Sequence, residues 1–185
     1  MRAGKNTLLA TLCGCWLILP LARATTLARM DVRELATRAT YVVRVRSRDT
    51  ASRMEGGSVW TLTTFEVLEA WKGDPPRTLC VRLPGGEAAG MRVVVEGAPR
   101  FATGEEAILF VAVRKDGQAG ILSWSQGTFR IRTSPHTGRR EAVQDTAGMQ
   151  LLDRKAPGPT SGEVRSLTLA SLRAQVMQAL AEAAR

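Results

Sequence analysis

Val59-Trp-Thr-Leu-Thr-Thr-Phe-Glu-Val-Leu-Glu-Ala-Trp-Lys-Gly73 decides how the rest of the chain is read. Thr61, Thr63, Phe65 and Val67 repeat with period two and are β-branched or aromatic. That pattern suits one long, half-buried strand. At Val67-Leu68 two apolar residues stand side by side, so the alternation changes phase. A single extra residue in a strand has this effect and bends it as a β-bulge. A long bent strand is what a small sheet needs in order to close on itself.

Working outward, the preceding segment 41–48 reads as a strand with Val43 and Val45 on one face and Arg44, Arg46 and Arg48 on the other. Polar residues 49–57 are expected to form the turn between the two strands. After the long strand, Lys72-Gly-Asp-Pro-Pro76 is a turn signal. Residues 78–83 then place Leu79, Val81 and Leu83 on one face, with Cys80 and Arg82 on the other. A glycine-rich loop at 84–90 leads to a short strand at 92–96. Residues 105–114 are apolar on both faces at their centre and predict the most buried strand. Strands at 121–124 and 128–133, broken at Gln126-Gly127, precede a hairpin tip at 134–138 and a return strand around 141–143.

Helices flank this β region. Asp31 and Glu34 make a capping box for a helix ending near Ala39, with Met30 and Leu35 as its hydrophobic staple. Thr168 caps a second helix, on which Leu169, Leu172, Val176, Ala179, Leu180 and Ala183 form an apolar stripe. Between them, residues 146–166 lose periodicity, and Ala156-Pro-Gly-Pro-Thr-Ser-Gly162 reads as a loose linker. The predicted organisation is a signal segment at 1–24, a barrel with its leading helix at 30–145, a linker at 146–166 and a carboxy-terminal helix at 167–185. Short strands separated by turns, without helices between them, predict a mainly β fold built as an antiparallel barrel.

The amino end has the three parts of a secretory signal: Arg2 and Lys5, an uncharged run over 7–22, and Ala22-Arg-Ala24. The run falls short of the ~20 residues of a spanning helix. No membrane span is therefore expected after cleavage. Leu12-Cys-Gly-Cys15 offers lipidation of Cys15 as an alternative, although residues 16–21 stay apolar where a polar tether belongs. Removing 1–24 takes three positive charges from a formal net charge of +9 and leaves Cys80 as the one thiol. An exported domain with one cysteine has no internal disulfide and is held by packing alone. The expected location is the periplasm or the cell exterior.

Residue chemistry does not converge on catalysis. His136 stands alone at the hairpin tip, where a triad or metal site lacks neighbours to hold it. Cys80 has no second histidine in the chain to activate it as a nucleophile. The 84–90 loop lacks the Gly-Lys-Ser/Thr ending of a phosphate cradle. Glu105 and Glu106 are adjacent in a strand, point apart and read as surface charges. The positive signal is basic: Arg44, Arg46 and Arg48 share one strand face, and Arg130 and Arg132 share another. Were the two strands neighbours, five guanidiniums would make an anion-binding patch. Trp60, Trp71 and Trp124 are the aromatic candidates for a stacking surface.

Ala39-Thr-Tyr-Val-Val-Arg-Val45, the 61–73 strand ending in Lys72-Gly73, and Phe110 with Gln126-Gly-Thr-Phe129 together resemble uncharacterised exported bacterial proteins. More remotely, helix, paired-valine strand and long strand are similar to netrin-like domains, which include the tissue inhibitors of metalloproteinases. That resemblance spans roughly residues 30–143 and implies an oligonucleotide/oligosaccharide-binding (OB) type barrel flanked by helices. It does not carry the inhibitors' chemistry, which needs an amino-terminal cysteine and disulfides. The functional expectation is a non-enzymatic, exported protein-interaction or accessory module without a cofactor. The alternative is a binder of anionic envelope polymer or nucleic acid through the arginine stripes.

Overall fold

The computed structural model describes residues 26–135, 137–153 and 158–185. The expected signal segment and His136 lie outside them. The chain begins with β1 (Thr26–Ala28) and α1 (Val32–Arg38), followed by the long hairpin of β2 (Tyr41–Glu55) and β3 (Ser58–Lys72). β4 (Thr78–Pro84) and the small hairpin of β5 (Gly86–Ala88) and β6 (Met91–Val93) come next. The central strand β7 (Glu106–Val113), β8 (Ala119–Ile121), β9 (Thr128–Thr133) and β10 (Arg140–Asp145) then build the rest of the sheet. β11 (Gln150–Leu152), β12 (Pro159–Ser161), β13 (Val164–Thr168) and α2 (Leu169–Ala183) complete the chain.

The mainly β, helix-flanked barrel read from sequence is the observed architecture. β2, β3, β4, β8 and β7 close into a five-stranded barrel. Four of its pairings are antiparallel, and β4 meets β8 in parallel at one bridge, Val81 to Ala119. A ring with an odd number of strands cannot alternate direction all the way round, so one parallel seam is required. β7 uses one edge twice: residues 107–109 pair with β9 and residues 111–113 pair with β8. Through β9 the sheet continues outward to β10 and β13.

The bulge expected at Val67-Leu68 is present. Val45 pairs with Val67 and Arg44 with Glu69, leaving Leu68 without an opposite number. Two further register shifts, at Trp71 and at Arg48, increase the bend. The turn expected over 49–57 is much tighter. β2 runs on to Glu55, and Gly56-Gly57, both at positive φ (57° and 75°), makes the connection. Most of residues 48–55 of β2 are exposed and polar, so no apolar alternation marked them as strand.

β7 explains why two cores exist. Ala107, Leu109 and Val111 point into the barrel with Val43, Val45, Phe65, Leu79, Val81, Leu83 and Phe101. Ile108 and Phe110 point outward, where Val42, Trp71, Phe129 and Ala142 meet both helices. α1 contributes Val32, Leu35 and Ala36, and α2 contributes Leu172, Val176 and Ala179. The capping box is formed, with Glu34 N donating to Asp31 Oδ1 at 2.7 Å and Asp31 N to Glu34 Oε2 at 3.4 Å. Thr168 caps α2 by accepting from Ser171 N at 3.1 Å.

Among its described residues, the segment expected as a linker carries strands β11 and β12 and most of β13. β13 pairs with β10 from Glu141–Thr168 to Asp145–Val164, and β11 pairs in parallel with β1 and antiparallel with β12. The barrel sheet therefore runs past residue 145, and α2 packs on it rather than standing apart. β12 and β13 are largely exposed, so they carry no inward-facing period for a sequence reading to find. Among the described residues, no helix is long and apolar enough to cross a membrane.

Candidate functional site

The arginine stripe is the first candidate. Arg44, Arg46 and Arg48 lie on β2 and Arg130 and Arg132 on β9, but β7 runs between those strands. The five guanidiniums do not form one patch. Instead Glu106, the first residue of β7, and Glu105 just before it supply carboxylates to both sides. Glu106 takes Arg44 Nη2 at 2.9 Å, Arg46 Nη2 at 2.7 Å and also Arg140. Arg48 pairs with Glu66 at 2.5 Å. Glu105, on the opposite side, pairs with Arg130 and accepts from Ala102 N at 3.1 Å. Arg132 is exposed beside Glu141 in the ladder.

Glu105 and Glu106 do point apart as expected, but neither is a free surface charge: Glu106 gathers three arginines and Glu105 pairs with Arg130. Burial alone would raise the Glu106 carboxyl. Hydrogen bonds from Arg46, Arg44 and Arg140 outweigh this and hold it at about 2, against an ordinary 4.5. Much of the stripe's charge is thus spent within the fold.

The aromatic candidates separate. Trp71 is buried in the outer core at 7% exposure. Trp60 and Trp124 come together in a cleft of about 540 Å³ with Arg82, Arg114 and Gln118. The cleft opens where β4 and β8, joined at their single bridge, part. Its lining includes Ala112, Ala119 and Gly120, whose small side chains leave the room. Sequence alternation placed Arg82 on an outward face, but its neighbours come from other strands.

The Arg82 guanidinium lies 4.0 Å from the Trp60 ring centroid, an attractive cation–π geometry. It also sits 3.4 Å from Glu55 and donates at 3.4 Å to Gln118 Oε1. Its Nε is buried without a hydrogen-bond acceptor. Trp124 is presented by an unusual backbone: Ser123 and Trp124 are both left-handed, at φ 53° and 54°. Non-glycine residues adopt this region at a cost of about 1–2 kcal/mol each. Gln126 holds the turn by donating Nε2 to Ser123 Oγ at 2.8 Å, and Thr128 Oγ1 donates to Trp124 O at 3.0 Å. This strain had no sequence signal, since neither residue is glycine or asparagine.

The remaining motif residues are structural. Lys72 Nζ donates to carbonyls at the end of α1, and a Cβ on Gly73 would stand 2.7 Å from Thr40 O. Gln126, 1% exposed, accepts from Met30 N at 2.8 Å and donates to Ala28 O at 2.9 Å, fastening the amino-terminal segment to the barrel. The 84–90 loop forms β5, where Gly86 lies too close to Ser52 and Thr61 for any side chain. Cys80 is exposed on β4, opposite in sense to its buried neighbours, as the alternation required. Among the described residues, no three of His, Cys, Asp and Glu converge to hold a metal ion. In comparison with known proteins, no family model matches this chain, and no curated protein matches it.

Proposed function

We propose that this chain is an exported, non-enzymatic binding module of the periplasm or cell exterior. Its partner is a protein engaged at the Trp60–Arg82–Trp124 cleft. The observation that carries this reading is the presentation of two indoles and a stacked guanidinium around one concave surface. Tryptophan and arginine are enriched at the energetic centres of protein interfaces, where truncation costs ~2 kcal/mol or more. The barrel interior is filled by aliphatic and phenyl side chains, and Glu66, Glu105 and Glu106 are engaged by arginines. Both features favour a scaffold over an enzyme. The helix-flanked barrel also agrees with the architecture that the netrin-like resemblance implies.

The test is site-specific photocrosslinking from position 124 in cells, followed by binding of the captured protein to purified chain. Trp60→Ala is expected to weaken that complex by at least tenfold, while Arg132→Gln leaves it unchanged. A captured protein indifferent to Trp60→Ala, or substrate turnover abolished by a single substitution, overturns the reading.

An anionic polymer is the second reading, favoured by Arg82 and Arg114 lining the same cleft. Its mark is affinity that falls steeply with salt and with Arg82→Gln. Replacing Arg44 and Arg130, which are already paired with carboxylates, is expected to matter less.

A further inference from the structure

A second groove of about 470 Å³ runs between α2 and the outer face of β2 and β3, lined by Arg44, Trp71, Ala170, Arg173, Ala174 and Met177 among others. Leu169 and Met177, also in its lining, are eight residues apart on α2, a span of about 12 Å. Apolar atoms dominate, and Met177 is among the exposed large hydrophobic residues of the surface. Two guanidiniums stand in this lining against one carboxylate, Glu69, which pairs with Arg173 at 3.2 Å. Arg44 spends Nε and Nη2 on Glu106, at 3.3 and 2.9 Å. The Trp71 indole is more than nine-tenths buried, and its Nε1 has no acceptor.

The geometry points to a binding site for an aliphatic carboxylate, a fatty-acid-like ligand whose chain lies along α2 and whose head group is held between Arg44 and Arg173. Charge selects an anion, and the apolar walls select an alkyl tail. The Trp71 ring is part of the same lining, so its indole signal reports on what enters the groove. An alkyl chain also suits the backbone. Arg44 and Glu69 are register partners within the β2–β3 ladder, and Arg173, Ala174 and Met177 lie beyond the first turn of α2, so their main-chain groups are already engaged. A peptide laid in the groove would find no ladder for its own amides, whereas a hydrocarbon chain has none to satisfy. This site is separate from the Trp60–Trp124 cleft and does not depend on its role.

Decanoate, titrated below its micellar concentration into the folded chain, is the probe, followed by the ¹H–¹⁵N signal of the Trp71 indole. Saturable 1:1 binding that shifts this signal is expected, with decan-1-ol at least about tenfold weaker because it lacks the charge. Arg173→Gln should weaken decanoate by about tenfold. Ala174→Leu should block the groove. Both positions are exposed on α2, and a melting curve verifies that each variant is folded. Equal binding of decanol, indifference to Ala174→Leu, or no shift at Trp71 overturns the proposal. So does tighter binding at this groove by a short apolar peptide with a free carboxy terminus.

Discussion

Lys72 Nζ lies 2.6 Å from the carbonyl oxygen of Ala39, and the same ammonium reaches Ala36 O at 2.8 Å and Thr37 O at 3.0 Å. One side chain at the end of β3 therefore closes the carboxy terminus of α1. Carbonyls there have no intrahelical donors, and a cation also complements the helix dipole. Lys72→Met keeps the stem's packing and removes the donors. It should destabilise the fold by about 1–3 kcal/mol, measured by urea denaturation, with faster amide exchange confined first to α1.

Glu106 predicts a pH response. Its folded pKa of about 2 lies below the ordinary 4.5, so the carboxylate's contribution is complete above pH 4.5 and is lost as pH falls toward 2. The contribution is at most about 3 kcal/mol. Glu106→Gln should flatten stability between these pH values. At neutral pH it should cost roughly 2–4 kcal/mol, because Arg44 and Arg140 lose their counter-charge and Arg46 keeps only Glu66, at 3.7 Å. Thermal melts of both proteins across the acid range give the comparison.

Gln126-Gly127 supports a third expectation. Gln126→Ala removes the acceptor for Met30 N and the donor for Ala28 O. Amide exchange at Met30 should accelerate, and global stability should fall by about 1–3 kcal/mol. Gly127→Ala would push a methyl into Leu122 O. It should be at least as damaging although the φ of Gly127 is ordinary, so a melting temperature near that of the unaltered chain would contradict the packing described.

The β5–β6 hairpin predicts a gain. Ala89 and Gly90 form its two-residue turn, with φ of 50° and 72°. Asn-Gly suits two successive positive φ angles far better than Ala-Gly does. Ala89→Asn should stabilise by a few tenths to about 1 kcal/mol, visible as a higher denaturation midpoint with an unchanged slope.

The features legible in the sequence were those whose cause is local. Asp31 with Glu34 and Thr168 act on amides within three residues, and the Leu68 bulge is written in a break of alternation. β7 announced itself by being apolar on both faces. Partnerships were hidden. Nothing near Arg44 in the chain names Glu106, 62 residues away, as its counter-ion. Trp60 and Trp124 share a cleft only because β8 returns beside β4. The 146–166 segment did not read as β because β12 and β13 sit at exposed edges, where pairing needs no inward-facing row, and β11 is only three residues long.

β7 has a final consequence for how this protein comes apart. Its alternate residues belong to the barrel interior and to the helix-covered layer in turn. Neither layer can melt while leaving its neighbour a complete wall. Heat should therefore produce one shared transition, with helix loss by circular dichroism and tryptophan exposure by fluorescence tracing the same curve.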